Sequence, residues 1–355
     1  MSGLYLVSSE GYTGKTLACM VLARRYAKRG LNPGYFKPIG HSPAREGGVW
    51  VDRDAALVLG QLGLDDPMHL VCPLLVTPAL LVKALGGEIK DGERLVLEAY
   101  RELAKTHSPM LVGGSGSAIL QGALLGLTAP RIAEILGARV LLVQKAEDAL
   151  CVDPVLACAQ AFGERLAGVI FNNVPEQMLE PLGTEIAPFL ARQGVQMLGV
   201  IPHDPVLHSV SVRELVERMG AQVLSGEEHL DELIENFVVG AMNVEHALNY
   251  LRRTPAKALV TAGERTDLQL TALETSTKAI ILTGQQQPDH LVLSRARATG
   301  VPVILSMEDT FGTVARIEEV LGKIRMTRPE QLARAEELFR EGVALERIDE
   351  VLGLG

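Results

Sequence analysis

Short apolar runs alternate with helix-length amphipathic segments along most of this chain. The runs Leu4–Ser8, Gly34–Lys37, Met110–Val112, Val140–Val143, Gly168–Phe171 and Met197–Ile201 are nearly continuous in apolar residues, and each gap between them has room for a helix. Such runs predict parallel strands buried on both faces and joined by helical crossovers. After Pro202-His203-Asp204-Pro205 the texture changes. Two prolines close the last run, Val210 to Met219 reads as a helix, and a second series follows at Phe237–Gly240, Ala258–Ala262, Ala279–Thr283 and Val301–Ser306. From Arg328 onward a helical pattern puts Leu332, Ala335, Leu338, Phe339 and Val343 on one face. That face needs cover from this chain or from a partner chain. The expectation is an α/β chain divided into 1–207, 208–325 and a helical tail over 326–355.

Composition narrows the class. A length of 355 residues suits two domains, each large enough for its own core. A net charge of −9 argues against a general nucleic-acid binder, which needs a basic surface to displace counterions. The four cysteines (Cys19, Cys72, Cys151, Cys158) are scattered without metal-ligand spacing, as expected of buried thiols in a reducing cytosol. The N-terminus enters a strand almost at once, which argues against a signal peptide. The most apolar region, Leu70 to Leu85, is broken by Pro73, Pro78 and Lys83, so no membrane span is expected. A cytoplasmic protein follows from these readings.

Candidate chemistry collects at one end of the first series. Leu4–Ser8 leads into Ser9-Glu10-Gly11-Tyr12-Thr13-Gly14-Lys15-Thr16, and Leu17 to Arg29 carries helical periodicity. A strand, a small polar loop and a helix opening on Gly-Lys-Thr form the context that a phosphate-binding P-loop requires. Backbone N–H groups and the positive end of the helix would cradle phosphate oxygens, with Thr13 and Gly14 in that cradle. Lys15 would reach the β- and γ-phosphates, and Thr16 would give its hydroxyl to Mg²⁺. Ser9 stands where such loops usually have a glycine. An ordinary strand-turn-helix connection with an exposed lysine is the alternative. Lys37-Pro38, Gly113-Gly114-Ser115-Gly116-Ser117 and Asn172-Asn173 also fall past the carboxyl ends of predicted strands, where parallel sheets bind ligands.

Taken in order, Thr13-Gly14-Lys15-Thr16, Gly34-Tyr35-Phe36-Lys37-Pro38, Asp54-Ala55-Ala56, Thr77-Pro78, Leu111-Val112-Gly113-Gly114-Ser115-Gly116, Asn172-Asn173-Val174 and Leu198-Gly199-Val200-Ile201-Pro202 carry a family likeness. The first domain resembles the dethiobiotin synthetase-like branch of P-loop proteins, which includes the amidating cobyrinate synthases and the N-terminal region of long phosphotransacetylases. The resemblance implies a P-loop NTPase-like, mostly parallel sheet with helices on both faces, and ATP and Mg²⁺ as cofactors. It implies Lys15 and Lys37 as catalytic residues, with Lys37 holding the reacting carbamate and the phosphoryl group in transit. It implies Asp54 beside Thr16 as a metal ligand, and Asn172 and Asn173 as readers of adenine. The alternatives that the residues leave open are a surface lysine before a proline at Lys37, an N-cap at Asp54 for a helix Ala55 to Gln61, a role it could combine with metal binding, and a turn at the asparagines. One departure matters: Val112-Gly113-Gly114 stands where the ligases carry Val-Glu-Gly. The lost carboxylate is the family's second metal ligand, and positioning is most of what phosphoryl transfer requires.

The second domain looks like a DRTGG domain through Val239-Gly240-Ala241-Met242, Gly263-Glu264-Arg265-Thr266-Asp267, Leu282-Thr283-Gly284 and Asp309-Thr310-Phe311. Glu264 replaces the aspartate of the signature, and Gln285 follows Gly284 where a glycine pair is common. Without the family, Gly263 to Asp267 is a strand-to-helix turn in which Thr266 or Asp267 caps the next helix and Arg265 reaches an anion or a carboxylate. The resemblance implies regulation or dimerisation, and hence a homodimer built through this domain.

Three functions stay open. The favoured one is a cytosolic ATP-Mg²⁺-binding regulatory protein resembling the N-terminal part of phosphotransacetylase, with no acyltransferase domain because the chain ends at Gly355. The second is an ATP-dependent ligase of the dethiobiotin or cobyrinate a,c-diamide synthase type. The third is an interaction scaffold with a decayed P-loop. The expected partners are a nucleotide and a second copy, with no nucleic acid and no membrane.

Overall fold

A computed structural model describes residues 3–89, 91–240, 244–323 and 329–354. Ala241 and Met242 of the DRTGG resemblance and the start of the tail at Arg328 lie outside the described residues. The chain divides into two compact units, Met1–His203 with Thr327–Gly355, and Asp204–Met326.

The first unit is built on six parallel strands: β1 (Gly3–Val7), β2 (Gly34–Phe36), β3 (Met110–Gly113), β4 (Arg139–Gln144), β5 (Leu166–Val174) and β6 (Met197–Pro202). Their order across the sheet is β6-β5-β4-β1-β3-β2, so the chain switches direction beside β1. Leu4, Leu6, Leu111, Val112, Leu141, Leu142, Val169 and Ile170 are fully buried, the burial on both faces that near-continuous apolar runs require. Helix α1 (Lys15–Lys28) starts directly from Gly14, whose φ of 96° suits a residue without a side chain. A hairpin of Pro43–Glu46 and Val49–Asp52 leads into helix α2 (Arg53–Leu62). The helix begins earlier than the sequence pattern suggests, and its cap is Asp52, not Asp54. The Asp52 carboxylate accepts from the Ala55 N–H at 3.0 Å, and Asp54 sits inside the first turn.

The main sheet of the second unit has five strands, β7 (Gln222–Ser225), β8 (Asn236–Val239), β9 (Lys257–Ala262), β10 (Thr277–Thr283) and β11 (Val303–Leu305), in the order β7-β11-β10-β9-β8. Strand β7 runs antiparallel to β11, and the other pairs are parallel. Side chains alternate between faces with period two. Ala258, Val260, Ala279, Ile281 and Ile304 pack with Val212, Leu215, Ile317 and Val320 on one side. Leu259 packs with Leu251 and Leu268 on the other, and Ile280 and Leu282 with Val292 and Ala296. The sheet is therefore covered on both faces by this unit's own helices, which removes uncovered sheet as a reason to expect a partner subunit. At the turn, Arg265 itself is the N-cap residue of helix Thr266–Leu273 and makes no side-chain cap, while its guanidinium meets Asp267 at 3.2 Å. Neither Thr266 nor Asp267 caps that helix, because both already lie within it.

The tail forms helices α3 (Pro329–Gly342) and α4 (Leu345–Leu352) and belongs to the first unit. Leu332, Ala335, Leu338 and Phe339 are buried there. Val343 bridges to Gly199 on the edge strand β6, and the Ala344 N–H donates to the Leu198 carbonyl at 2.8 Å. Of the two expected covers, this chain or a partner, the apolar face takes the first and is buried within its own unit.

Candidate functional site

The site lies past the carboxyl ends of β1, β2 and β3, at the point where strand order reverses. The loop 8–14 leaves β1 and turns back into α1. Asn172, at the end of β5, donates its amide to the Thr13 carbonyl at 2.7 Å, and a Cβ on Gly14 would lie 2.2 Å from that same amide nitrogen. Only glycine at 14 lets the loop and β5 come this close. Ser9, in the place of the usual glycine, donates to Gln144 Oε1 at 2.7 Å and ties the loop to the end of β4.

Lys15 is buried, and its Nζ donates to the Ser8 hydroxyl, to the Glu10 carbonyl at 3.2 Å and to the Gly116 carbonyl at 3.4 Å. Burial, and then the neighbouring Lys37 ammonium, push its pKa down to about 8. The Thr13 hydroxyl is buried with no hydrogen-bond partner in the protein, a donor left for a ligand oxygen or a water. Thr16 is half-buried at the helix start.

Lys37 lies between two carboxylates, 2.8 Å from Asp52 Oδ1 and 2.7 Å from Asp54 Oδ2. Burial opposes its charge, but the two carboxylates outweigh burial and the net shift is upward. Asp52 is fully buried and also accepts from the Ser42 N–H at 3.0 Å. Asp54 stays 43% exposed. The position of the missing family glutamate is filled. A Cβ on Gly113 would fall 2.4 Å from the Tyr35 hydroxyl, so the phenol occupies the space where that carboxylate would start. Burial lifts the Tyr35 pKa well above its usual value, which keeps the phenol neutral.

Lys15, Lys37, Thr13, Thr16 and Asp54 therefore share one crevice, with Asn172 bracing the loop. Asn173 adopts a φ of 59°, and its Oδ1 lies 2.7 Å from His203 Nδ1. Sequence reasoning passed over Ser8, Tyr35 and Asp52. A usable signal existed only for Asp52, which precedes Ala55 by the three residues typical of an N-cap.

Mg²⁺ is the metal this fold family implies. The residues present do not fit it. Gly113 supplies no carboxylate and Tyr35 excludes one. Asp52 is committed to Lys37 and two backbone N–H groups, and Asp54 is paired with Lys37. Among the described residues no three His, Cys, Asp or Glu side chains gather as a metal cluster. Thr16 remains as one neutral ligand.

Residues 2–211 match the family described as an AAA domain, and residues 214–320 match the DRTGG domain. The chain is similar to a phosphate acetyltransferase of Synechocystis sp., 27% identical over 98% of this chain and 51% of the relative. It is also similar to an ATP-dependent dethiobiotin synthetase of Bacillus cereus, 26% identical over 57% of this chain and 84% of the relative. Among solved structures, the CBS and DRTGG domains of a Clostridium perfringens pyrophosphatase regulatory region overlap 43% of this chain and 60% of that one, at 18% identity and a TM-score of 0.30. The chain spans about half the length of the phosphate acetyltransferases it matches. Among the described residues no helix is long and apolar enough to cross a membrane.

Proposed function

The chain belongs to the AAA domain family in its dethiobiotin synthetase-like form and carries a DRTGG domain, and from that premise we propose that it is a cytosolic regulatory protein that binds ATP. The observation that supports the reading is the pairing of Lys15 and an orphaned Thr13 hydroxyl at the start of α1 with a Gly113 crowded by Tyr35. Lys15, the unpartnered Thr13 hydroxyl and the start of α1 support the phosphate-holding part of the reading. The carboxylate that a phosphoryl-transfer enzyme of this family needs is replaced by Gly113 and screened by Tyr35. A ligase would also need the Lys37 ammonium at the reacting carbamate, whereas here it is held by Asp52 and Asp54. Binding without turnover is the chemistry left. Lys15, Thr13, Gly14 and Thr16 hold the phosphates in this reading, and Asn172 and Asn173 border the base. The DRTGG domain is the responding module, and homodimerisation would run through it.

Lys15→Ala tests the reading. Losing a charge-assisted phosphate contact of about 1.5–3 kcal/mol should weaken ATP roughly ten- to a hundredfold in calorimetric titration. Unchanged affinity would remove the nucleotide site.

Proton linkage gives an independent check. A bound phosphate favours the charged form of Lys15 and lifts its depressed pKa, so ATP binding near pH 8 should take up protons. Titrations in two buffers of different ionisation enthalpy read that uptake directly. It should vanish well below pH 8, where Lys15 is already charged, and should be absent from Lys15→Ala.

A further inference from the structure

We infer that the site takes its nucleotide free of divalent metal, with the Lys37 ammonium as the fixed cation where the family's metal would be bound; the inference rests on the nucleotide reading above. A Mg²⁺ ion held with a nucleotide needs hard oxygen ligands in near-octahedral array, usually one or two carboxylates beside the phosphates and water. The two carboxylate positions are compromised here by separate causes. At residue 113 there is no side chain, and the space a Cβ would need lies 2.4 Å from the hydroxyl of Tyr35. At residue 54 the carboxylate exists but Oδ2 already lies 2.7 Å from Lys37 Nζ.

That ammonium cannot easily withdraw. Its second partner is Asp52, buried without solvent contact, whose other bonds run to the Ser42 and Ala55 N–H groups. Moving Lys37 away would leave a buried carboxylate uncompensated, the costly way to break such a pair. A dication approaching Asp54 would therefore share its ligand with a pinned like charge. Lys37 is also close enough to Lys15 for the two ammonium groups to disfavour each other, so two cations already stand in the crevice beside the Asp52 and Asp54 carboxylates. An ammonium has three N–H donors, and the carboxylates use two. The third can meet a phosphate oxygen without breaking either ion pair.

The test is calorimetric titration of ATP onto the full chain, once in excess EDTA and once in Mg²⁺, for the natural sequence and for Asp54→Asn. The affinity should agree within roughly threefold between the two buffers. Asp54→Asn removes a negative charge beside the phosphates while Asp52 keeps Lys37 in place, so it should tighten ATP in EDTA by about two- to fivefold. Two results overturn the inference: ATP bound at least about tenfold more tightly with Mg²⁺, or an Asp54→Asn loss of affinity confined to the Mg²⁺ titration. No binding in either buffer would remove the nucleotide reading, and this inference with it.

Discussion

A variant that stops after residue 326 should lose a stable nucleotide-binding unit, although the removed helices follow the whole second domain in sequence. Leu332, Leu338, Phe339, Leu345, Ile348 and Leu352 are buried in the first unit. At roughly 1.5–3 kcal/mol for each side chain taken out of water, their burial rivals the entire net stability of a domain, about 5–15 kcal/mol. Charge reinforces the contact. Asp349, nearly buried, accepts from Arg25 at 2.7 and 2.8 Å and from Arg29 at 2.8 Å. Glu336 accepts from Arg24 at 2.6 Å and Lys28 at 2.5 Å. All four cations lie on α1 or immediately after it, toward the end remote from the P-loop. The tail thus holds the helix whose start makes the phosphate cradle. Truncation should cause aggregation or a large fall in melting temperature of the P-loop unit, followed by circular dichroism. A truncated chain melting within a few degrees of the full one would refute this packing.

Asp52→Ala should be the most damaging single substitution near the site. It leaves Lys37 buried with only the half-exposed Asp54, strips the cap from α2 and orphans the Ser42 N–H. Removing one partner of a buried pair costs about 3–5 kcal/mol, and a lost N-cap adds about 1 kcal/mol. Asp52→Asn, which keeps an acceptor for the cap, should cost clearly less. Urea unfolding of the two variants measures the difference. A loss below about 1 kcal/mol for Asp52→Ala would show that Lys37 finds another partner or reaches solvent.

The parallel strands of both units were legible because burial on both faces leaves continuous apolar runs. Leu4 to Val7 and Ala279 to Leu282 announce themselves in this way. Strand β7 was not, since Gln222–Ser225 is short and pairs antiparallel at an edge, where the pattern is weak. The P-loop was legible from its context of strand, loop and helix. The replacement at residue 113 could be read as a loss, but not that Tyr35 fills the vacated space. That pairing joins residues on neighbouring strands and exists only once β2 and β3 lie side by side. Asp54 drew attention as a candidate ligand while Asp52 went unremarked, because their roles depend on where α2 starts. The tail's apolar face declared that it needs cover. Amphipathicity alone does not say what supplies it, and the structure places it against its own P-loop unit.

The most direct test of the central claim is to follow ATP on the full chain by calorimetry and by release of inorganic phosphate in the same sample. The account predicts saturable heat with ATP, lost in Lys15→Ala, and no multiple turnover. Repeated turnover with ATP and a carboxylate or diamine co-substrate would contradict it and restore the ligase reading.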